Sequence, residues 1–287
     1  MSSTAPHVTA FVLAGGGSLG AVEVGMLKEL LAWGEAPAMV VGASAGAINA
    51  AFFAGDPTAA GVDRLERLWC GLKRSDVFPF GWAGLLGLLW RRDHLVDSHG
   101  LRGLLERYLP YRRLEDAALP VHVVACDLLG GDEVLLSAGP VVDAVLASAA
   151  IPGVFPPVDI GGRLLVDGGV ANHTPLSSAV RLGATRVIVL PTGFACALRQ
   201  VPSGAVARAL HALGLLVARQ LVQDAERYAD MVQLRIVPSL CPLGRSPYDY
   251  SASASLITQA AAGTRRWLED GGLERGGVPM QLREHRH

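Results

Sequence analysis

The apolar and polar positions of this chain form two patterns that alternate along the sequence. Short runs rich in Val, Leu, Ile and Ala predict buried strands, whereas apolar residues that recur every three or four positions predict helices. The strand pattern falls at about 8–14, 38–42, 121–126, 185–190 and 231–237, with shorter strands at 132–137 and 163–167. The helical pattern falls at about 20–32, 45–54, 61–72, 99–108, 140–148, 175–182, 205–229 and 252–270.

This order of strands and helix-length segments predicts the α/β class. Strands separated by helices favour a mostly parallel central sheet flanked by helices on both faces, which gives a three-layer domain. A chain of 287 residues with 51% apolar content can bury a large core, and no repeat or polar linker divides it. We therefore expect a single domain over 1–275 and a loose tail at 276–287.

Charge and cysteine usage narrow the range of partners. The formal net charge is −1 and Lys and Arg form no cluster, which argues against a nucleic-acid partner. The four cysteines lie in neither a CxxC nor a zinc-ligand spacing, so we expect no metal site and a reduced compartment. The first residues carry no charged leader pattern ahead of the first strand. These observations together predict a cytoplasmic location.

One uncharged segment, VFPFGWAGLLGLLW at 77–90, stands between Asp76 and a pair of arginines. It is shorter than the roughly 20 residues that a helix needs to cross a bilayer. Its tryptophans and the neighbouring arginines suit the boundary between water and lipid. Two interpretations stay open for 77–92: an apolar core helix or cap over a pocket, or a peripheral contact with a membrane.

Two GxSxG motifs each follow an apolar strand and open a helix. This context is the one that a nucleophilic serine requires. In GASAG at 42–46, small neighbours on both sides of Ser44 allow a tight turn that exposes the hydroxyl at a helix N-terminus. In GGSLG at 16–20, Ser18 belongs to a triple-glycine loop that is better suited to presenting backbone N–H groups. Ser44 is therefore the predicted nucleophile.

The first glycine loop also satisfies GxGxxG through Gly15, Gly17 and Gly20, the fingerprint of dinucleotide-binding folds. Such a fold places Asp or Glu at the end of the second strand to hold the ribose. Here the second strand ends in Gly42, Ala43 and Ser44, so the acid is missing. A dinucleotide-binding oxidoreductase is the weaker alternative.

A serine nucleophile needs a base, and the sequence offers two kinds. His173 and His211 follow Asp167 in the chain, so the order of a Ser, acid and His triad is available, although neither histidine lies in a recognisable loop after a strand. Asp167 ends a short apolar strand and is followed by two glycines, which permit a sharp turn and close backbone approach. Taken alone, this motif is also typical of an ordinary Asp-Gly turn.

These motifs together resemble the patatin-like phospholipase family. The resemblance rests on the glycine block at 15–20, the GxSxG serine, the proline-rich SAAIPGVFPPV at 148–158 and Asp-Gly-Gly at 167–169, in family order. Asn172 and Pro175 follow as in many members. The resemblance implies a patatin-like fold and a Ser44–Asp167 dyad that hydrolyses lipid esters through an acyl-enzyme. It also implies an oxyanion hole formed by Gly15, Gly16 and Gly17, with no metal and no cofactor.

One position departs from the family pattern. Members commonly carry Arg or Lys just before the last glycine of the first block, where this chain has Leu19. A basic side chain there could hold a lipid phosphate, so its absence favours neutral esters. We expect a serine esterase, lipase or phospholipase A-type enzyme acting on lipid or ester substrates. A non-catalytic lipid-binding protein of the same fold is the alternative.

Overall fold

A computed structural model describes residues 7–78, 94–193, 205–240 and 249–276. Its strands are β1 (Thr9–Leu13), β2 (Met39–Ala43), β3 (Val121–Asp127), β4 (Glu133–Leu136), β5 (Val158–Ile160), β6 (Arg163–Asp167), β7 (Arg186–Leu190) and β8 (Gln233–Ile236). Its α-helices are α1 (Ala21–Ala32), α2 (Ala45–Gly55), α3 (Ala59–Gly71), α4 (Arg74–Val77), α5 (His99–Tyr108), α6 (Val141–Ser148), α7 (Gly169–Asn172), α8 (Leu176–Arg181), α9 (Ala205–Tyr228) and α10 (Ser253–Glu269). Short 3₁₀ turns lie at Gly17–Gly20, Leu114–Asp116 and Tyr250–Ala252.

The described strands form one mixed sheet in the order β5-β6-β3-β2-β1-β7-β8, with β4 paired to β3. The strands from β3 through β2, β1 and β7 to β8 pair in parallel. The pairs that β3 makes with β4 and β6, and that β6 makes with β5, are antiparallel. The predicted α/β class with a mostly parallel sheet is therefore confirmed.

Alternate residues of the central strand β1 point to opposite faces of the sheet and enter different cores. Phe11 and Leu13 join an apolar cluster with residues of α1, α2, α3 and α10. Ala10 and Val12 join a second cluster, with residues of α8 and α9. A strand buried on both faces is apolar throughout, because each face needs its own apolar side chains. This burial explains why β1 carries no polar alternation.

The way in which β3 pairs with its neighbours determines where the ends of β2 and β6 lie. One edge of β3 pairs with β4, so β2 and β6 must share the opposite edge. On that edge β2 pairs with residues 121–124 of β3, and β6 pairs with residues 125–127. Asp167 at the end of β6 faces Ala125, one position beyond the pairing of Ala43 with Val124. The ends of β2 and β6 therefore meet on one strand.

The predicted strands and helices lie within a few residues of the observed ones, and β5, α4 and α7 are additional. A three-residue strand and two four-residue helices are too short to show a period in the sequence. Most of the apolar segment at 77–92 and nearly all of the tail at 276–287 lie outside the described residues. Within the described part of the chain, no helix has both the length and the apolarity that crossing a bilayer demands.

Candidate active site

Ser44 occupies a sharp turn between β2 and α2. Its backbone has φ 54° and ψ −121°, and it is the sole non-glycine residue with positive φ among the residues that the structure describes. L-amino acids avoid this conformation, so it persists only where the surrounding structure enforces it. The turn holds the side chain at the N-terminus of α2, where it is 9% exposed. This is the elbow geometry that the sequence predicts for GxSxG.

The two glycines of this motif are required by close backbone approach. A Cβ atom on Gly42 would lie 2.3 Å from the carbonyl oxygen of Gly46. A Cβ atom on Gly46 would lie 2.3 Å from the carbonyl oxygen of Leu13, at the end of β1. Both distances are far inside van der Waals contact, so any side chain would force these segments apart. The glycines therefore let the elbow rest directly on the neighbouring strand.

Asp167 lies beside Ser44, as the sheet register requires. The Ser44 hydroxyl donates a hydrogen bond of 2.7 Å to Asp167 Oδ2. The other carboxylate oxygen, Oδ1, accepts a 2.7 Å hydrogen bond from the amide of Gly169. A Cβ atom on Gly168 would lie 2.0 Å from the carbonyl oxygen of Val124, so the turn after Asp167 also depends on glycine. Both oxygens of the carboxylate are thus held in fixed positions.

Burial alters the acidity of this carboxyl group. It raises the pKa of Asp167 to about 6, although the hydrogen bonds from Ser44 and Gly169 act in the opposite direction. Removal from water disfavours the charged form, and the two donors recover only part of that cost. At neutral pH the group is still mostly ionised, and it is a stronger base than an ordinary aspartate. These properties suit a proton acceptor for an alcohol.

Ser148, the last residue of α6, connects the two halves of the site. The amide of Ser44 donates to Ser148 Oγ at 2.9 Å, and that hydroxyl donates in turn to the carbonyl of Val124 at 2.5 Å. The backbone carbonyl of Ser148 accepts the amide of Gly168 at 3.0 Å. Ser148 therefore braces the serine turn and the aspartate turn together. Its local sequence predicts no such role, although Ser148 is the first residue of the block 148–158.

The glycine loop at 15–17 lies beside this pair, and its three amides differ. The amide of Gly15 donates to the carbonyl of His173 at 2.9 Å, so it is already engaged within the protein. The amides of Gly16 and Gly17 donate to no backbone carbonyl of the described residues. Gly17 has φ 59°, a conformation that favours glycine. Of the three amides predicted to form an oxyanion hole, that of Gly15 is therefore bonded within the protein, whereas those of Gly16 and Gly17 have no backbone acceptor among the described residues.

Thr192, which follows β7, fixes the shape of the same loop. Its hydroxyl donates to the carbonyl oxygen of Gly15. A Cβ atom on Gly16 would lie 2.4 Å from Thr192 Oγ1, so a side chain at this position would break the contact. Sequence reasoning missed Thr192 as well, because nothing in its local sequence marks it.

His173 lies close to the pair but makes no hydrogen bond with it. A Cβ atom built on Gly15 would lie 2.9 Å from His173 Nε2 and 3.3 Å from the Cβ atom of Ser44. Burial lowers the pKa of His173 to about 4, so the imidazole is neutral at physiological pH. Its Nδ1 is buried and has no partner within the described residues. His211 lies in α9, and its side chain falls outside the description.

An apolar cavity opens next to Ser44. Its lining includes Gly17, Ser44 and Ala45, and otherwise consists of aliphatic and aromatic side chains. These side chains come from α2, from α3 and the segment after it, from α5, from the segment after α6, and from the 3₁₀ turn before α10. They are Ile48, Leu68, Trp69, Leu72, Val77, Phe78, Leu101, Leu104, Ile151, Phe155 and Tyr250. Ser44 therefore borders a predominantly apolar cavity.

A buried polar network fixes one wall of the cavity. The indole of Trp69 donates to Asn49 Oδ1 at 2.8 Å. The amide group of Asn49 donates to Glu23 Oε2 at 2.7 Å and to the carbonyl of Gly20 at 2.9 Å. Burial raises the pKa of Glu23 well above its usual value, which favours a neutral carboxyl group beneath the glycine loop. The network ties the indole to the end of that loop.

Two other residues that the sequence singles out, Ser18 and Leu19, are buried. Ser18, the serine of the other GxSxG motif, has 0% exposure, and Leu19 is packed in the apolar core. Within the described residues, no group of three or more His, Cys, Asp or Glu side chains is arranged to hold a metal ion. Ser18 and Ser44 are the central serines of the two GxSxG motifs. Of these two, Ser44 lies against a carboxylate, that of Asp167.

Comparisons with known proteins show which family the chain resembles. The family described as Patatin-like phospholipase matches residues 11–180. Patatin-like phospholipase domain-containing protein 7 of Rattus norvegicus is 28% identical over 189 residues, which is 65% of this chain and 14% of that protein. The uncharacterized NTE family protein Rv1063c of Mycobacterium tuberculosis is 32% identical over 194 residues, 66% of this chain and 49% of that protein.

The chain thus spans about half or less of the length of the curated relatives that it matches. Among solved structures, VipD from Legionella pneumophila is similar with a TM-score of 0.44 and 14% identity, covering 91% of this chain and 68% of that one. The family match includes the glycine loop, the Ser44 elbow and the Asp167 turn. This chain belongs to the patatin-like phospholipase family.

Proposed function

We propose that this protein is a serine lipid acyl hydrolase in which Ser44 is the nucleophile and Asp167 the general base. The observation that carries the proposal is the 2.7 Å hydrogen bond from Ser44 Oγ to the buried carboxylate of Asp167. A nucleophile and a base within hydrogen-bonding distance are the core of covalent ester hydrolysis. The names of the curated relatives, which include phospholipase, point to the same reaction class.

In the acylation step, Ser44 Oγ attacks the ester carbonyl carbon while its proton passes to Asp167 Oδ2. The carbonyl oxygen becomes an oxyanion, and the amides of Gly16 and Gly17 are its proposed hydrogen-bond donors. One such donor contributes about 3–4 kcal/mol in a serine protease. When the tetrahedral intermediate collapses, the bond to the alcohol breaks and the alkoxide takes the proton from Asp167. The product of this step is an acyl-Ser44 ester and a free alcohol.

In the deacylation step, a water molecule attacks the acyl carbonyl and gives its proton to the same carboxylate. Collapse of the second intermediate returns the proton to Ser44 Oγ and releases the fatty acid. The two reaction steps involve no oxidation or reduction. In each step, Asp167 accepts one proton and then returns it. The positive end of the α2 dipole at Ser44 favours the negative charge that develops in both steps.

The apolar cavity supports an acyl chain as the group that is recognised. Each buried methylene contributes roughly 0.8 kcal/mol, so a cavity lined by aliphatic and aromatic side chains favours an acyl chain that enters it over acetate. Leu19, where family members commonly have a basic residue, is buried in the core. We therefore propose lipid esters as the substrate class, with neutral esters favoured over phospholipids.

The proposal is tested by hydrolysis of p-nitrophenyl esters and phosphatidylcholine vesicles by the wild type and by Ser44→Ala, Asp167→Asn and Ser18→Ala. We expect Ser44→Ala and Asp167→Asn to lose activity while remaining folded, and Ser18→Ala to retain it. Full activity in folded Ser44→Ala would contradict the proposal. So would a wild type that binds lipid but turns over none of these esters, which is the behaviour of a non-catalytic lipid-binding protein.

A further inference from the structure

A second cavity lies on the outer side of α3 and α5 and differs in character from the first. It is an open cleft whose polar lining includes Arg67, Asp76 and Arg107. The cleft is therefore partly polar and reaches solvent, whereas the cavity beside Ser44 is apolar. The two are adjacent because the helices α3 and α5 form a wall of each.

Three leucines line both cavities: Leu68 and Leu72, on and just after α3, and Leu104 on α5. All three are half-buried, whereas Leu101 and Leu105 on the same helix α5 are buried. Half-burial is expected for side chains that face an apolar cavity on one side and an open cleft on the other. The barrier between the two spaces is thus a single layer of side chains.

We propose that Leu68, Leu72 and Leu104 form a plug on the side of the acyl cavity that borders the cleft, and that they set the longest acyl chain that the enzyme accepts. The proposal rests on the proposed function, because it takes Ser44 as the point where the acyl chain begins. A chain longer than the cavity must either displace the plug or leave its terminal methylenes outside the site. Methylenes that stay in water contribute no binding energy.

The polar lining of the cleft further limits the length of the acyl chain. A chain that passed the plug would enter a space edged by charged groups of Arg67, Asp76 and Arg107, which gain nothing from contact with a hydrocarbon. The wild-type enzyme should therefore gain about fourfold in kcat/KM for each methylene that fits, and then level off once the cavity is full. The acyl length at which the gain stops is the property that the plug controls.

The test measures kcat/KM on p-nitrophenyl esters of increasing acyl length for the wild type, Leu72→Ala and Leu104→Ala, each normalised to active serine by fluorophosphonate titration. Either truncation should move the levelling point to chains longer by about two carbons, because each removes three carbon atoms from the plug. Leu104→Phe should move it to shorter chains. Leu105→Ala is the matched control: it removes a buried leucine of α5 that lines neither cavity, so it should lower stability without moving the levelling point.

Profiles of Leu72→Ala and Leu104→Ala that coincide with the wild-type profile would overturn the plug, and so would an equal shift in Leu105→Ala. These outcomes leave the proposed function intact, because the wild type would still hydrolyse the esters. Failure of the proposed function is distinguished by a wild type that is folded, inactive on every chain length and unlabelled at Ser44.

Discussion

Replacing Asp167 with asparagine is expected to stabilise the folded protein at alkaline pH while abolishing ester hydrolysis. The side chain is 7% exposed, and burial raises its pKa from 3.8 to about 6. Asparagine has the same shape, carries no charge, and retains an oxygen that accepts the Gly169 amide and an amide that donates to Ser44. The substitution therefore removes the cost of burying a charge and leaves most of the local packing.

The magnitude follows from linkage between protonation and folding. A raised pKa in the folded state means that the stability of the wild type falls as pH rises from about 4 through 6 and then levels off. Each pKa unit corresponds to 1.36 kcal/mol, so the full cost above about pH 7 is about 3 kcal/mol. Near pH 4.5 most of the folded protein is already protonated at this site, and the remaining cost is about 1 kcal/mol.

The assay is urea unfolding of the wild type and Asp167→Asn at about pH 4.5, 6 and 8, with the free energy of unfolding extrapolated to water. Other titrating groups, including Glu23 and His173, are present in both proteins, so the difference between the two isolates position 167. We expect Asp167→Asn to exceed the wild type by about 3 kcal/mol at pH 8 and by about 1 kcal/mol at pH 4.5. A difference that does not change with pH would refute the reasoning.

Three further outcomes are expected. The kcat/KM for a soluble ester should fall about tenfold per pH unit below about pH 6, as Asp167 becomes protonated; a profile flat down to pH 4 would contradict its role as base. Ser148→Ala should lower kcat about tenfold and stability by about 1–3 kcal/mol, because the Ser44 amide and the Val124 carbonyl lose their partner; kinetics and urea unfolding would detect both. Gly46→Ala should destabilise the fold by at least about 2 kcal/mol in thermal unfolding. Gly263→Ala in α10 is the matched control: a Cβ atom there meets nothing within 4 Å, so this variant should be more stable by about 0.5–1 kcal/mol.

The parts of the site that the sequence predicted are those whose requirements are local. The elbow at Ser44 needs glycines two positions away on each side, and the turn after Asp167 needs the glycines that follow it, so both leave a mark in a few adjacent letters. The long helices and the buried strands were predictable for the same reason, because the helices repeat a period of about 3.6 residues and the strands are continuous apolar runs. The short β5 does not, and it was missed.

The parts that were missed depend on contacts between distant segments. Ser148 lies 104 residues from Ser44, and its role arises only because β2 and β6 share an edge of β3. The engagement of the Gly15 amide by the carbonyl of His173 depends on a similar long-range approach. The leucines shared by the two cavities look like ordinary helix residues in the sequence. No spacing rule links such positions before the fold brings them together.

The central claim is that the hydroxyl of Ser44 is made nucleophilic by the carboxylate of Asp167. The most direct test treats the folded wild type, Ser44→Ala and Asp167→Asn with a fluorophosphonate and locates the adduct by peptide mass spectrometry. We expect one adduct on Ser44 in the wild type, none in Ser44→Ala, and much slower labelling in Asp167→Asn at neutral pH. An adduct on Ser18, or equal labelling rates in the wild type and Asp167→Asn, would contradict it.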